Sequence, residues 1–339
     1  MITPVSLREF GFEERQITEQ MHTSVTDHAT TFAPTYGKYD LSDHGPMAAL
    51  ALRGLGEADG AVGDYLAAYN HRLSPVTSAP RRYREALRYF SEEIARSSIE
   101  DTLARHLPPL ISGWARAAYH PLIRIAYGFE WRCAPEVAAG LAYLSYCRAD
   151  PTIERLARNA IQSDLPATDL FALASGFATT GNLTTFSRGL ALVVTHREFS
   201  RAAQIVPDNL RQMSRVALDV FASTHNFFAL HLVTGSHAYR LLESFTGEHS
   251  EAIFNLGLLA GYAIVGAPDF EPSGTELRSS VDSGGPASRA DWRDGMSDDE
   301  HDIKLAYSAQ SQAEYWGDPE YIDVARGYFS RTGRTPAAS

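Results

Sequence analysis

From Pro46 onward, apolar residues recur at spacings of three and four, the period of helices that bury one face. RRYREALRYFSEEIARS shows this most plainly, with Tyr83, Leu87, Phe90 and Ile94 on a single stripe. MAALALRGLG runs into a glycine stop at Gly54 to Gly56, and AVGDYLAAYNHRL ends before Pro75. The pattern predicts further helices over 100–113, 119–130, 135–148, 151–162, 167–176, 183–194, 197–204, 208–222, 225–245, 249–265, 300–314 and 318–329. Strand-like alternation is scarce. Only LALVVTH at 190–196 leans that way, and it continues a helical pattern equally well. The expected fold class is all-α, one compact multi-helix array of about a dozen helices, with residues 1–339 as a single domain.

Two stretches break the pattern. Residues 1–35, with few helical repeats, read as an irregular arm with one helix at 13–21. Residues 268–298 are dominated by Gly, Ser, Pro and Asp and read as a flexible loop or a lid, because structureless segments of this length are uncommon in compact domains. No repeat of fixed period is present, which argues against a regular solenoid.

Composition narrows the partners. A formal net charge of −11 and the lack of any basic run argue against nucleic acid. LGLLAGYAIVGA, among the most apolar stretches, is too short to span a bilayer, so no membrane partner is expected. MITPVSLREFGFEERQ lacks the basic start and apolar run of a leader, and the expected location is cytoplasmic. Cys133 and Cys147 lie on or beside one predicted helix, about 20 Å apart along its axis, too far for a disulfide. Nothing in the sequence sets an oligomeric state.

Candidate chemistry rests on histidine and lysine. Of twelve histidines, His22, His28, His71, His106, His196, His237 and His249 fall in loops or on mixed faces and read as solvated or locally bonded. His44 stands at a helix entrance before Pro46, and His120 at another before Pro121, where the following proline biases its backbone away from the helical region. Both also read as caps. His231 lies among Phe227, Phe228, Leu230, Leu232 and Val233, so its imidazole is expected to be buried and to need a partner. His225 lies six residues earlier, off the same face. His301 and Lys304 share a helical stripe with Ser308 and Tyr315, and the acidic run before them suggests exposure. Lys304 is one of only two lysines, with Lys38, in a chain whose other 28 basic residues are arginine. A lysine amine can lose its proton when buried, act as a base or nucleophile, or add carbon dioxide to give an anionic oxygen ligand.

At these residues the chain resembles the questin oxidase-like family. LSDHGPMAALALRGLG, HPLIRIAYGFE, FFALHLVTGSHAYRLL and HDIKLAYSA carry the likeness, spread over about residues 36–315. The resemblance implies an all-helical oxygenase that cleaves a ring of anthraquinone-type polyketides in a Baeyer–Villiger-like oxidation, with O2 as co-substrate and NADPH as external reductant in some members. It also implies a non-haem iron site of four histidines and a carboxylated lysine. On this chain those positions are His44, His120, His231, His301 and Lys304, holding Fe(II). Many relatives read His-Pro-Leu-Ile-His where this chain has Arg124, and His225 is a substitute ligand if that second histidine is needed. Under this reading Arg124 and Tyr127 are the catalytic residues, Arg124 holding a phenolate or developing oxyanion. Phe227, Phe228 and Tyr127 wall a pocket for a flat aromatic substrate, and Trp292 rides on the lid.

Other readings stand beside this one. They are a metal-free, NADPH-using oxygenase with histidines as acid–base groups, a hydrolase or isomerase with zinc on carboxylated Lys304, and a non-enzymatic binding protein whose histidines are dispersed. GFATTGN at 176–182 follows no predicted strand and is not a dinucleotide turn.

Overall fold

The computed structural model describes residues 18–163, 166–178, 186–207, 209–270, 292 and 295–332. Its α-helices are α1 (Glu19–Thr31), α2 (Gly45–Leu55), α3 (Asp59–Asn70), α4 (Arg81–Arg96), α5 (Ile99–His106), α6 (His120–Glu130), α7 (Ala134–Cys147) and α8 (Pro151–Arg158). They continue with α9 (Ala167–Ala172), α10 (Phe186–Val194), α11 (Arg197–Ala202), α12 (Leu210–Thr224), α13 (Phe227–Leu242), α14 (Ser250–Val265), α15 (Glu300–Trp316) and α16 (Glu320–Thr332). The strands are minimal. β1 (Thr35–Tyr36) pairs antiparallel with β2 (Leu41–Ser42), and β3 (Ile161–Ser163) pairs parallel with β4 (Ile205–Pro207). The fold is all-α, as the periodicity implies.

Several boundaries differ from expectation, each for a local reason. The region read as an irregular arm contains α1, which Thr18 caps by accepting from the Met21 amide and which buries Met21, Val25, His28 and Ala29. Threonines on its other faces hide that stripe in the sequence. Helix α5 stops at His106 instead of running to 113, since Pro108 and Pro109 follow. The 225–245 helix begins only at Phe227. His225 takes a left-handed backbone (φ 48°), and Asn226 starts α13 by accepting from the Phe228 amide at 2.7 Å. LALVVTH is helical through Val194. No described helix is long and apolar enough to cross a membrane.

Four helices form a ring: α2 packs on α6, α6 on α13, α13 on α15, and α15 back on α2. They run in the same direction. The starts of α2, α6 and α15 and the second turn of α13 meet at one end through His44, His120, His301 and His231. Deeper in, Tyr127 of α6, His237 of α13 and Ser308 of α15 meet through hydroxyl and imidazole contacts at 3.1–3.2 Å. At that level Gly54 of α2 lies so close to Tyr307 that a Cβ there would collide with the ring. Parallel neighbours need long crossovers, and the remaining helices supply them. Helix α7 braces α6 at close range: a Cβ at Gly140 would fall 2.7 Å from the Ile125 amide nitrogen, and one at Gly128 would fall 2.7 Å from that of Val137.

Candidate metal centre

His44, His120, His231 and His301 come from four helices, and their rings form a single cluster. Ring centroids lie 4.4 Å apart for His44–His120, 4.8 Å for His120–His231, 4.6 Å for His44–His301 and 5.3 Å for His231–His301. His120 Nε2 is 2.5 Å from His44 Nε2 and 3.2 Å from His231 Nε2. The ligand atoms offered by His44, His120 and His301 all fall within 4.8 Å of one another.

Local backbone aims each ring. His44 precedes α2 and makes no capping bond with its side chain; its amide donates to Tyr69 Oη at 2.9 Å, and Asp43 caps by accepting from the Gly45 amide. His120 is helical (φ −55°, ψ −39°) despite Pro121, unlike the extended backbone its proline suggests. Ahead of it Ala117, Ala118 and Tyr119 all take positive φ, at 50°, 52° and 67°. Each such residue costs about 1–2 kcal/mol, and the turn so formed brings the Ala117 carbonyl within 2.6 Å of His120 Nδ1.

These outer contacts determine the tautomers. A backbone carbonyl can only accept, so His120 Nδ1–H donates to Ala117 O, and His231 Nδ1–H donates to Phe227 O at 2.8 Å. His301 Nδ1–H donates to Asp299 Oδ1 at 2.9 Å, and His44 Nδ1 faces Glu300 Oε1 at 3.4 Å. The inward nitrogens of His120 and His231 are therefore bare lone pairs 3.2 Å apart. Protonation does not relieve them. Burial above all, and then neighbouring positive charge, holds His44, His120 and His231 well below the ordinary imidazole range. His301 is lowered by the same two causes, in part offset by Asp299.

Lys304 lies one turn along α15 from His301, fully buried, and its charge weighs on all four histidines. Burial brings its amine down to about 7, against the pull of Glu300 and Asp299. Its Nζ and the His301 Nε2 are both buried with no hydrogen-bond partner among the described residues. Two metal–imidazole bonds of about 2.0–2.1 Å at right angles put their nitrogens about 3 Å apart, close to the His120–His231 spacing. The imidazole donors therefore fit a divalent ion of the imidazole-binding kind.

The other sequence candidates lie elsewhere. Arg124 is buried, with Nε and Nη2 donating to Glu136 at 2.7 and 3.0 Å and Nη1 3.6 Å from Asp43 Oδ2. A guanidinium held by two carboxylates is not poised for a substrate oxyanion, a correction to the sequence expectation. Tyr127 turns its hydroxyl to Ser308 at 3.2 Å, below the cluster. His225 faces away, accepting from Arg331 at 2.7 Å and stacking on Tyr328. Trp292 packs against Phe329 and under Arg326 on α16. Residues 271–291 and 293–294 of the expected lid lie outside the described residues. Phe227 is 55% exposed and meets the His231 and His301 rings edge-on, with centroids 4.9 and 4.6 Å away. Phe228 packs on Phe227 and Phe186.

Sequence reasoning also passed over residues that touch the cluster or are buried near it. Asp299 and Glu300 read as a solvated acidic run, yet each contacts a histidine of the cluster. His28 and His237 read as ordinary, yet both are buried, His28 on Asp43 at 2.9 Å and His237 on Ser308 at 3.1 Å. The signal for His237 was its position within the same apolar helix as His231.

No curated protein matches the chain. The family model described as questin oxidase-like matches residues 76–309, a span that holds His120, His231, His301 and Lys304 and leaves His44 outside. With most of its length and four of its five converging side chains inside that match, the chain belongs to the questin oxidase-like family, whose activity is of the oxidase or oxygenase kind.

Proposed function

We propose that the protein is a metal-dependent oxygenase, with Fe(II) held by His44, His120, His231 and His301 and by carboxylated Lys304. It oxidises a flat polycyclic aromatic or quinone-type metabolite, with O2 as co-substrate and NADPH as an external reductant. The observation that carries this reading is the pair of inward lone pairs on His120 and His231, fixed by backbone carbonyls on their outer sides. A metal-free site using either nitrogen as a general acid would need a proton there, and burial opposes it.

Bound iron(II) supplies the one-electron chemistry that dioxygen needs. The chain's own residues set the conditions. Ala117 and Phe227 carbonyls keep two imidazoles in the ligating tautomer. Lys304, whose amine burial brings down to about 7, is about half unprotonated at pH 7, and that free amine can add carbon dioxide with loss of one proton to give an anionic carbamate. Phe227 meets the His231 and His301 rings in edge-type contacts and, itself exposed, offers an apolar surface to a planar substrate.

Anaerobic titration of the metal-free protein with Fe(II), followed by calorimetry, tests the reading. One ion per chain is expected, with binding lost in His120→Ala and His231→Ala. A wild-type protein that takes up no Fe(II), Mn(II) or Co(II) at this site would falsify it.

A further inference from the structure

The acidic pair at the start of α15 sits against two separate corners of the histidine cluster. Asp299 caps the helix, its Oδ1 accepting from the His301 amide at 2.8 Å and from His301 Nδ1 at 2.9 Å. Glu300, the next residue, is buried and reaches across to α2, where Oε1 lies 3.4 Å from His44 Nδ1. The same oxygen is 3.4 Å from Arg72 Nη1. Arg72 is half exposed and lies 4.1 Å over the Tyr69 ring, while Tyr69 Oη accepts from the His44 amide at 2.9 Å. Glu300, Arg72, Tyr69 and His44 thus close a loop of contacts that grips His44 through both its ring and its backbone.

We propose that Asp299 and Glu300 are paired positioning residues of the metal centre, each holding the outer nitrogen of one ligand histidine. Two consecutive residues can serve two helices because they straddle the cap. Asp299 precedes the helix and turns back on its own first turn, whereas Glu300, inside it, projects toward α2. Each carboxylate keeps a proton on Nδ1 and turns the Nε2 lone pair inward. Each also adds negative charge where the positive ends of four helices converge, a place otherwise unfavourable to a cation. His120 and His231 use backbone carbonyls for the same task, so the cluster has two neutral and two anionic supports. The inference rests on the metal reading above but concerns residues outside the ligand set.

The test uses Co(II), whose absorption reports ligand geometry, with full-length metal-free protein under anaerobic conditions. Glu300→Gln keeps the length of the side chain and removes its charge. Asp299→Ser keeps a capping oxygen for the His301 amide but is too short to reach Nδ1. Each variant is expected to fold as the wild type does by circular dichroism and to bind Co(II) about 10–100-fold more weakly, with shifted visible bands. A merely structural role would leave those bands unmoved. Wild-type binding with unchanged affinity and spectrum in both variants overturns this proposal alone. Absence of Co(II) and Fe(II) binding by the wild type overturns the metal reading and this proposal with it.

Discussion

Arg124 lies one helical turn beyond His120, and Asp43 immediately precedes His44, so a buried ion knot and the histidine cluster share α6 and the entrance to α2. In the knot, the Arg124 guanidinium bridges Glu136 and Asp43, and Asp43 also takes His28. Burial pushes Asp43 up, but His28 and Arg124 outweigh it and leave its carboxyl below the usual range. In the cluster, donors point outward and lone pairs point inward. Both regions are largely buried, although His301 of the cluster is only partly so. The knot supplies its own counter-charges, while the inward lone pairs of His120 and His231 face each other 3.2 Å apart. Burial of polar groups alone therefore does not mark a functional site; the sign of what remains unpaired does.

The most forceful way to break that contrast is to remove the knot's cation. Arg124→Met leaves Glu136 and Asp43 facing each other without a guanidinium. A buried pair broken from one side costs about 3–5 kcal/mol. Urea unfolding of the metal-free protein should show that loss. His231→Leu in the same assay should cost about 1 kcal/mol or less, because the hydrogen bond it gives up is offset by the end of lone-pair repulsion. Equal losses in the two variants would mean that the cluster, too, is held together by its own contacts.

How far each region could be read from the sequence follows the same division. The cluster was legible as a set only through the family resemblance; by residue type His44 and His120 read equally as caps, and Lys304 alone stood out in an arginine-rich chain. The cluster's supports were not legible. Asp299 and Glu300 are common helix-start residues, and nothing in DDEHD separates a solvated acid from one that touches a ligand in a neighbouring helix. The knot was opaque for another reason. Arg124, Glu136, Asp43 and His28 come from four elements, and only tertiary packing shows that they meet. Helix class and most helix positions were legible because burial acts every three or four residues. Where α1 and the start of α13 were misread, threonines and a left-handed His225 masked the period.

A pH series sharpens the comparison with a smaller effect. Lys304 is lowered in the folded state to about 7 by burial, against 10.5 when unfolded. Between those values the unfolded chain binds more protons than the folded one, so stability of the metal-free protein rises with pH across that window, by up to about 1.4 kcal/mol per unit. Lys304→Met removes this slope, and urea midpoints at pH 7, 8 and 9 would reveal it. The histidines act below their ordinary value. Their lowered folded pKa makes stability fall as pH drops under 6.5. A wild-type protein whose stability is flat from pH 7 to 9 would place the Lys304 amine in contact with solvent or an anion.

The smallest change in stability, with a distinct kinetic signature, is expected at Phe227. Its carbonyl receives His231 Nδ1–H, so Phe227→Ala keeps the bond that sets the tautomer and deletes only the ring. The ring is more than half exposed, and its removal should shift stability by no more than about 0.5 kcal/mol. Yet it lies across His231 and His301, between the cluster and solvent. Loaded Phe227→Ala should hold the same amount of iron as the wild type and surrender it several-fold faster to a ferrous chelator, followed anaerobically by absorbance. The His44 side has a different cover, the half-exposed Arg72 over Tyr69, so Arg72→Ala is the matched control for a route through that side. Faster release in Arg72→Ala, with Phe227→Ala unchanged, would move the solvent-facing mouth of the centre from α13 to the α2–α15 seam.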